Sequence, residues 1–229
     1  MPAASGYAFD VSAIISNLPQ LLEGLGYTLA ASVLGILLGT MIGLFLGTAR
    51  AYQMPLLRSV AAVYVALFRG TPILVQIFFL YYALPDIGIR LEVYQVAVLA
   101  LALWGGSYNT ENFRAAFGAV PAGALQAASA LGMPPLHRYL WIAVPLAVRI
   151  ALPSLINTSI SVLKDSAYLS VIAFAEITYA AMNIVATDFR VFEMFAVLGA
   201  TYLSMVLMLS ALLNRVRMNL ARRGTVGDH

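Results

Sequence analysis

The sequence predicts an all-α polytopic membrane protein with five transmembrane helices, an N-terminus outside the cell and a C-terminus in the cytoplasm. Hydrophobic residues make up 62% of its 229 residues and charged residues only 10%, whereas soluble domains carry roughly 25% charged residues. The mean hydropathy is +0.88. A chain of this length provides about five spans of ~20 residues with their loops, and it leaves no room for a soluble catalytic domain.

The composition also excludes several classes of function. The chain contains no cysteine, which rules out disulfides, thiolate catalysis and thiolate metal sites. His137 and His229 are its two histidines, too few to favour a histidine metal site. The pI near 9.3 does not indicate a nucleic-acid partner, because the arginines lie at the ends of apolar regions, where membrane topology accounts for them.

The N-terminal part is predicted to be a periplasmic or interfacial segment covering residues 1–26, followed by a transmembrane domain over residues 27–229. Asn17-Leu18-Pro19 and Glu23 interrupt the apolar groups of this first segment, which is typical of an interfacial stretch. The first span is predicted over residues 27–48. Four glycines recur in it at every fourth residue and predict a flat face for close helix packing; they are Gly35, Gly39, Gly43 and Gly47.

Four further apolar regions follow the first span. They cover residues 57–84, 94–116, 148–181 and 195–213. The second region is interrupted at Arg69-Gly70-Thr71-Pro72, which predicts a bent or unwound helix because proline removes a backbone hydrogen bond. The fourth is interrupted at Pro153 and again at Lys164-Asp165-Ser166.

The distribution of charge between loops predicts the orientation. One set of loops contains nine arginines and no acidic residue. These loops lie around residues 50–58, 114–149 and 215–223. The alternate loops contain six acidic residues and two arginines; they lie at residues 1–26, 86–92 and 188–193. By the positive-inside rule the first set is cytoplasmic, which requires an odd number of spans.

Residues 121–145, called the docking segment below, read PAGALQAASALGMPPLHRYLWIAVP. Pro121 at the start and Gly132 at the end predict a short helix between them, with Leu125, Ala128 and Leu131 on one face. The double proline Pro134-Pro135 predicts a second short helix. Its apolar residues follow helical spacing; they are Leu136, Tyr139 and Leu140. Such a pair of helices suits a groove on a partner protein.

The docking segment resembles the EAA loop of ATP-binding-cassette importer permeases through Gln126-Ala127-Ala128, Gly132 and Ile142-Ala143-Val144-Pro145. Gln126 stands where the family usually has glutamate, and Val144 where it usually has leucine. The resemblance implies a type I importer permease fold and a cytoplasmic coupling helix that inserts into a partner ATPase. The coupling residues implied by it are Gln126, Ala127, Ala128, Leu131 and Gly132. The alternative is an amphipathic helix at the membrane surface.

Charged side chains at membrane depth cost roughly 2.5 to 3.5 kcal/mol each on insertion scales, so Arg69, Lys164 and Asp165 require a function. Adjacent residues on a helix point about 100° apart, so Lys164 and Asp165 do not readily neutralise each other. One interpretation is a wet midplane cavity that binds the ammonium and carboxylate of a free amino acid. The other is an internal ion-pair network, such as Arg69 with Asp165, that holds bent helices together.

Phe68 to Gln76 and Leu163 to Ser166 resemble segments of polar amino acid importer permeases, the histidine, glutamate, glutamine and arginine type. Tyr108, Glu111 and Arg114 are also similar to that family, although Glu111 and Arg114 at i, i+3 spacing equally predict a simple ion pair. The resemblance implies that substrate passes near Thr71, Asp165 and Ser166. Together with the charge argument, the candidate substrate-binding residues are Asp165, Lys164, Ser166, Thr71 and Arg69.

The resemblance implies a permease subunit of an ATP-driven polar amino acid importer in a bacterial cytoplasmic membrane, and not an enzyme. The chain has no G-x-x-x-x-G-K-[ST] motif, so it would bind no cofactor itself, and ATP and Mg²⁺ would lie on a partner. The implied partners are an ATP-binding subunit dimer, a second permease copy or paralogue, and a periplasmic or tethered amino acid binding protein. The alternatives are an ion-coupled secondary transporter and a membrane assembly or anchor subunit.

Overall fold

The structure, a computed structural model, describes residues 9–224 and their side chains as far as residue 219. It is helical, and the helices are α1 (Val11–Ser16), α2 (Leu18–Ala51), α3 (Pro55–Gly70), α4 (Ile73–Phe78), α5 (Val93–Gly118), α6 (Ala122–Ala130), α7 (Pro135–Arg138), α8 (Val144–Asp165), α9 (Ile177–Asp188) and α10 (Val191–Gly224). Short π or 3-10 turns cover Phe79–Ala83, Leu84–Ile87, Tyr139–Ala143 and Ser166–Ile172.

Helices α2 and α5 form the centre of the fold. The predicted glycine face of α2 is confirmed: Gly35, Gly39, Gly43 and Gly47 are all buried. A Cβ placed on any of the four would lie 3.0 Å or less from an atom of α5, so only glycine permits this approach of the two backbones. The α5 helix is buried along most of its length, and α8 packs against its other side.

The first long helix begins at Leu18, nine residues before the predicted start of the first span, and runs unbroken to Ala51. The predicted break at Asn17-Leu18-Pro19 ends only the short α1. Pro19 lies in the first turn of α2, where a backbone N–H has no partner to lose, so it starts the helix. The predicted boundary at residue 27 therefore falls inside a helix, and residues 1–8 of that segment lie outside the described part.

The start of α1 is tied to the start of α10 by charged groups. Arg190 pairs with Asp10 at 3.0 Å, and the backbone N–H of Asp10 donates to the Glu193 carboxylate at 3.1 Å. The Ser12 hydroxyl, followed by its backbone amide and by Arg190, lowers the pKa of Asp10 below its usual value. These contacts hold α1 against the bundle.

The predicted interruption of the second apolar region is confirmed. Helix α3 ends at Gly70, α4 begins at Ile73, and the chain bends by 108° between α3 and the helical run Ile73–Ile87. Thr71 and Pro72 between them are extended, with ψ values of 144° and 139°. The extended backbone follows from Pro72, which disfavours helical geometry at the residue before it.

Two predicted boundaries around the docking segment are wrong. The second short helix and the fourth span are one run from Pro135 to Ile172, and Pro153 lies inside α8 without breaking it. A π turn at Tyr139–Ala143 directly precedes Val144-Pro145, and this wider turn accommodates the missing N–H of Pro145. The interruption at Lys164-Asp165-Ser166 is confirmed, because α8 ends at Asp165.

Within residues 9–224, three helical runs are long and apolar enough to cross a membrane, and the bent α3–α4 pair brings the number to four. The three are Leu18–Ala51, Pro135–Ile172 and Val191–Asn219. Helix α5 has 26 residues and is about 39 Å long at 1.5 Å per residue, but it is less apolar than these three runs. Its buried polar side chains, Ser107, Asn109 and Thr110, face other helices instead of lipid.

Candidate functional site

The bend between α3 and α4 is held by Gln76, which is 8% exposed. Its side-chain nitrogen Nε2 donates to the Phe68 carbonyl at 2.9 Å and to the Thr71 carbonyl and hydroxyl, both at 3.0 Å. The Thr71 hydroxyl in turn donates to the Leu67 carbonyl at 2.8 Å. These bonds supply partners for carbonyl groups that the broken helix leaves free. Thr71, a predicted site residue, is therefore fixed in place.

Arg69 lies at the end of α3 and is exposed, with its guanidinium carbon 4.8 Å from the centroid of the Tyr108 ring. The Tyr108 ring itself lies 4.5 Å from that of Trp104, one turn away on α5. A guanidinium over an aromatic face is stabilised by the charge distribution of the ring. This contact leaves the hydrogen-bond donors of Arg69 available to an anionic group.

The three predicted residues at the end of α8 differ in exposure. Lys164 is exposed, Asp165 is half-buried, and Ser166 is fully buried with its hydroxyl donating to the Leu163 carbonyl at 2.7 Å. No ion pair in the part of the chain with described side chains involves Arg69, Lys164 or Asp165. The alternative of an internal Arg69–Asp165 ion pair is therefore not observed.

The bend and the end of α8 belong to one apolar cluster. Ile73 and Ile77 of α4 pack in the same buried group as Val162 of α8 and Leu169 of the following 3-10 turn. The fold thus brings Thr71 and Asp165 to neighbouring elements that share a packed wall. The Arg69 guanidinium lies over the Tyr108 ring of α5.

A row of polar side chains crosses α5 between α2 and α8. The Asn109 amide nitrogen lies 3.4 Å from the Thr40 hydroxyl, and the Asn112 amide nitrogen lies 3.2 Å from the Asn109 amide oxygen and 3.1 Å from the Thr158 hydroxyl. Hydrogen bonds between helices within a membrane are worth about 0.6 to 2 kcal/mol each. The row links the three central helices.

The docking segment presents an exposed tip. Ala128 is 3% exposed, whereas Leu131, predicted to lie on one face with it, is 82% exposed. Gln126 and Ala127 are exposed as well. Gly132 has a φ of +73°, a left-handed conformation that favours glycine and ends the helix as predicted.

The exposed tip rests on a rigid base. The Arg138 guanidinium donates to the Ser129 hydroxyl at 2.8 Å and ties α7 to α6, and the hydroxyls of Tyr139 and Thr48 lie 2.8 Å apart, joining the segment to α2. Tyr52 and Tyr139 line a cavity of about 200 Å³ beneath α6. Burial, and to a lesser extent the neighbouring Tyr139, raises the pKa of Tyr52, so its phenol stays neutral at physiological pH.

A charged triad lies at the same end of the bundle. Glu111 pairs with Arg114 at 2.8 Å, which confirms the predicted i, i+3 pair, and it pairs also with Arg50 at the end of α2. The Arg50 pair connects residues 61 positions apart in the chain. One carboxylate therefore joins the cytoplasm-facing ends predicted for α2 and α5.

Comparison with known proteins assigns the chain to a family. The family model described as "Binding-protein-dependent transport system inner membrane component" matches residues 35–223. The chain belongs to this family. The match contains the α3–α4 bend, the docking segment and the end of α8, so the candidate sites lie on the part of the chain that defines family membership.

Individual relatives cover nearly the whole permease-like chain. The glutamine transport system permease protein GlnP of Escherichia coli (strain K12) is 37% identical over 210 residues, covering 91% of this chain and 96% of the relative. The probable amino-acid ABC transporter permease protein y4tG of Sinorhizobium fredii (strain NBRC 101917 / NGR234) is 34% identical over 215 residues, covering 94% and 93%.

Solved structures share the fold. The crystal structure of an amino acid ABC transporter with histidines superposes with a TM-score of 0.83 at 32% identity, covering 93% of this chain and all of the other. A chain of the inward-facing MetNI methionine ABC transporter superposes with a TM-score of 0.74 at 20% identity, covering 88% and 96%; this second likeness concerns the fold alone. Both are similar over the bundle described above.

The sequence patterns assign no individual role to three polar residues: Gln76 and Glu176, which are buried, and Arg50, which is half-buried. Gln76 lies within a family-like stretch, and Arg50 counts only as a loop charge. Glu176 is fully buried, caps the start of α9 by accepting from the amides of Thr178 and Tyr179, and accepts from the Tyr202 hydroxyl at 3.1 Å. A lone acid inside an apolar region was the available signal.

Proposed function

We propose that this chain is the membrane-spanning permease subunit of an ATP-driven importer that translocates a polar amino acid across the cytoplasmic membrane of a bacterium. Family membership and the relatives that are amino-acid ABC transporter permeases support it. The observation that carries it is the docking segment, because Leu131 is exposed at the tip of a helix that is itself fixed by Arg138 and Ala128. A large apolar side chain in water at a rigid tip suits a groove on a partner.

The partners of the proposal follow from this tip. An ATP-binding subunit dimer would hold ATP and Mg²⁺ and hydrolyse the nucleotide, and this chain would contribute no cofactor of its own. Gln126, Ala127, Ala128, Leu131 and Gly132 would couple the two. A second permease copy or a close paralogue would complete the pathway, and a periplasmic or tethered binding protein would deliver the amino acid.

The proposed topology counts five spans, with the bent α3–α4 pair and the buried α5 each counted once. Residues 1–26 would begin outside, and the docking segment and the C-terminus would lie in the cytoplasm. The arginine-rich loops support this orientation. Within the transmembrane permease domain, residues 27–229, the docking segment would then face the compartment that contains ATP.

The proposed coupling uses the continuity of one helical run. Residues from Pro135 of the docking segment to Asp165 lie on a single run, about 46 Å long at 1.5 Å per residue. Movement of the docking segment upon ATPase closure would pass along this run to the substrate site, and the bundle would alternate between inward-open and outward-open arrangements.

The proposed substrate site consists of Asp165, Lys164, Ser166, Thr71 and Arg69. Half-buried Asp165 would accept from the substrate ammonium, since it forms no ion pair with any side chain described between residues 9 and 219. Arg69, with free donors over Tyr108, would bind a carboxylate. Ser166 and Thr71 have hydroxyls already bound to carbonyls and would shape the site.

Asp165→Asn is expected to reduce amino-acid-stimulated ATP turnover of the assembled complex about tenfold or more, because a charge-assisted hydrogen bond is worth about 1.5 to 3 kcal/mol. Basal turnover should persist, since the docking segment is unchanged. The assay compares ATP hydrolysis with and without loaded binding protein. Asp86→Asn, in the loop after α4, serves as the control, and stimulation equal to wild type in both variants would assign Asp165 a structural role only.

Reconstitution tests the function as a whole. The permease, co-expressed with its ATPase and placed in lipid vesicles, should take up a polar amino acid when ATP and the binding protein are supplied. An ion-coupled secondary transporter would instead require an ion gradient and no ATPase. Uptake driven by a gradient in the absence of ATP, or failure of any ATPase to co-purify, would reject the proposal.

A further inference from the structure

The corner between α9 and α10, residues 188–191, lies at the end of the bundle opposite the docking segment. The Asn17 side-chain nitrogen, directly before α2, donates to the Asp188 carboxylate at 3.0 Å, whereas Thr48 near the other end of α2 contacts Tyr139 of the docking segment. Helix α2 has 34 residues and is about 51 Å long at 1.5 Å per residue. In the proposed topology the corner is therefore outside the cell.

Phe189 at this corner is both exposed and strained. It ends α9 with a φ of +55°, a left-handed conformation that glycine or asparagine usually adopts at the end of a helix and that is rare for a bulky residue. Its side chain is 83% exposed. Neither packing within the bundle nor backbone preference accounts for phenylalanine here, and strained residues of this kind are concentrated at functional sites.

Polar contacts on both sides of Phe189 hold the corner in place. On one side, Asp188 is bound by Asn17. On the other side, Arg190 pairs with Asp10 at 3.0 Å. The large apolar side chain is therefore presented on an ordered backbone, and a partner that binds it has little backbone freedom to remove.

The surroundings of Phe189 favour a protein partner over lipid. Its neighbours Asp188 and Arg190 are charged, and the hydrocarbon core does not readily accept charged side chains. At the level of the headgroups, tryptophan and tyrosine are the enriched aromatic residues. The exposed Asp188 carboxylate forms no ion pair with the side chains described in residues 9–219, so it is available to a cation on a partner.

We infer that Phe189 and Asp188 are the contact point for the binding protein, with Phe189 in an apolar pocket whose rim carries a lysine or arginine that pairs with Asp188. The inference rests on the proposed function and names the surface that receives this partner. The family description, a binding-protein-dependent transport system, supports a contact with a binding protein. An apolar anchor beside a charged rim is a usual composition for a protein interface.

The test measures ATP turnover of the permease–ATPase complex in lipid nanodiscs, where both faces are accessible, as its amino-acid-loaded binding protein is added. Phe189→Gly removes the side chain but suits the left-handed backbone, so its thermal midpoint should equal or exceed that of the wild type. It should raise the binding-protein concentration for half-maximal stimulation at least about tenfold, with basal turnover unchanged. Phe189→Tyr should stay within about twofold of the wild type.

Phe195→Ala, 55% exposed on α10, is the matched control and should be stimulated as the wild type is. A wild-type response of Phe189→Gly, or an equal loss in Phe195→Ala, would overturn the inference, while ATP-driven uptake by the wild-type complex would leave the importer function intact. A wild-type complex without ATP-driven uptake of any polar amino acid would overturn the proposed function, and this inference with it.

A labelling experiment separates docking from insertion into lipid. The chain has no cysteine, so Phe189→Cys provides a single thiol at the corner. In nanodiscs this thiol should react with a membrane-impermeant maleimide, and saturating binding protein should slow the reaction at least about tenfold. A thiol that is unreactive in nanodiscs without binding protein would place residue 189 in lipid, and one that stays equally reactive would leave it outside the interface; either result would overturn the inference.

Discussion

Replacing Gly43 by alanine is expected to lower the free energy of unfolding by about 2 to 3 kcal/mol, because overpacking a tight interface has costs of this size. The new Cβ would lie 2.4 Å from the Asn109 Cβ and 2.8 Å from the Asn109 carbonyl carbon. Backbone atoms of α5 cannot yield without moving the helix, so the two central helices would separate. The thermal midpoint of the purified protein should fall by about 5 to 10 °C.

Gly26→Ala is the matched control on the same helix. A Cβ at Gly26 meets nothing within 4 Å, and alanine is favoured over glycine in a helix by about 1 kcal/mol. The control should therefore unfold at the wild-type temperature or slightly above it. If the two variants have equal midpoints, the α2–α5 contact is looser than described here.

Changing Leu131 to aspartate is expected to weaken binding of the ATPase subunit by about 30-fold or more, since a central apolar anchor contributes about 2 kcal/mol or more to an interface. Leu131 is 82% exposed, so the change does not disturb the permease core. Purification of the tagged permease from its native membrane, followed by quantification of the bound ATPase, provides the measurement.

Leu56→Asp is the control for this loss. Leu56 is 78% exposed at the start of α3. It lies within residues 50–58, whose arginines predict that they are on the same side of the membrane as the docking segment. It should retain the ATPase at the wild-type level. A permease that keeps its ATPase after Leu131→Asp, or loses it equally in both variants, would argue against the docking segment as the coupling element.

The sequence predicts features that depend on backbone chemistry. The bend at Thr71-Pro72, the glycine face of α2 and the left-handed stop at Gly132 each follow from the limits of proline and glycine. These limits act locally, so neither the tertiary fold nor the membrane alters them. Helix boundaries were less predictable, because the effect of a proline depends on its position. Proline in a regular helix disrupts it, whereas proline in the first turn or just after a π turn is accommodated without ending the helix.

The polar contacts of the candidate site could not be predicted to the same degree. The Glu111–Arg114 pair follows from i, i+3 spacing, but the Arg50–Glu111 pair joins distant residues and depends on how α2 packs on α5. The role of Gln76 depends on the side-chain nitrogen reaching carbonyls on the other side of a 108° bend. Such contacts are set by tertiary geometry, which a single sequence does not encode in any short pattern.

The central claim is that the docking segment lies in the cytoplasm, where an ATPase can bind it. The chain has no cysteine, so Leu131→Cys introduces a single thiol at an exposed tip, and Ile87→Cys, 71% exposed in the loop after α4, introduces one at the opposite side. A membrane-impermeant maleimide applied to spheroplasts should label Ile87→Cys at once and Leu131→Cys only after the membrane is opened. Labelling of Leu131→Cys in intact spheroplasts would contradict the account.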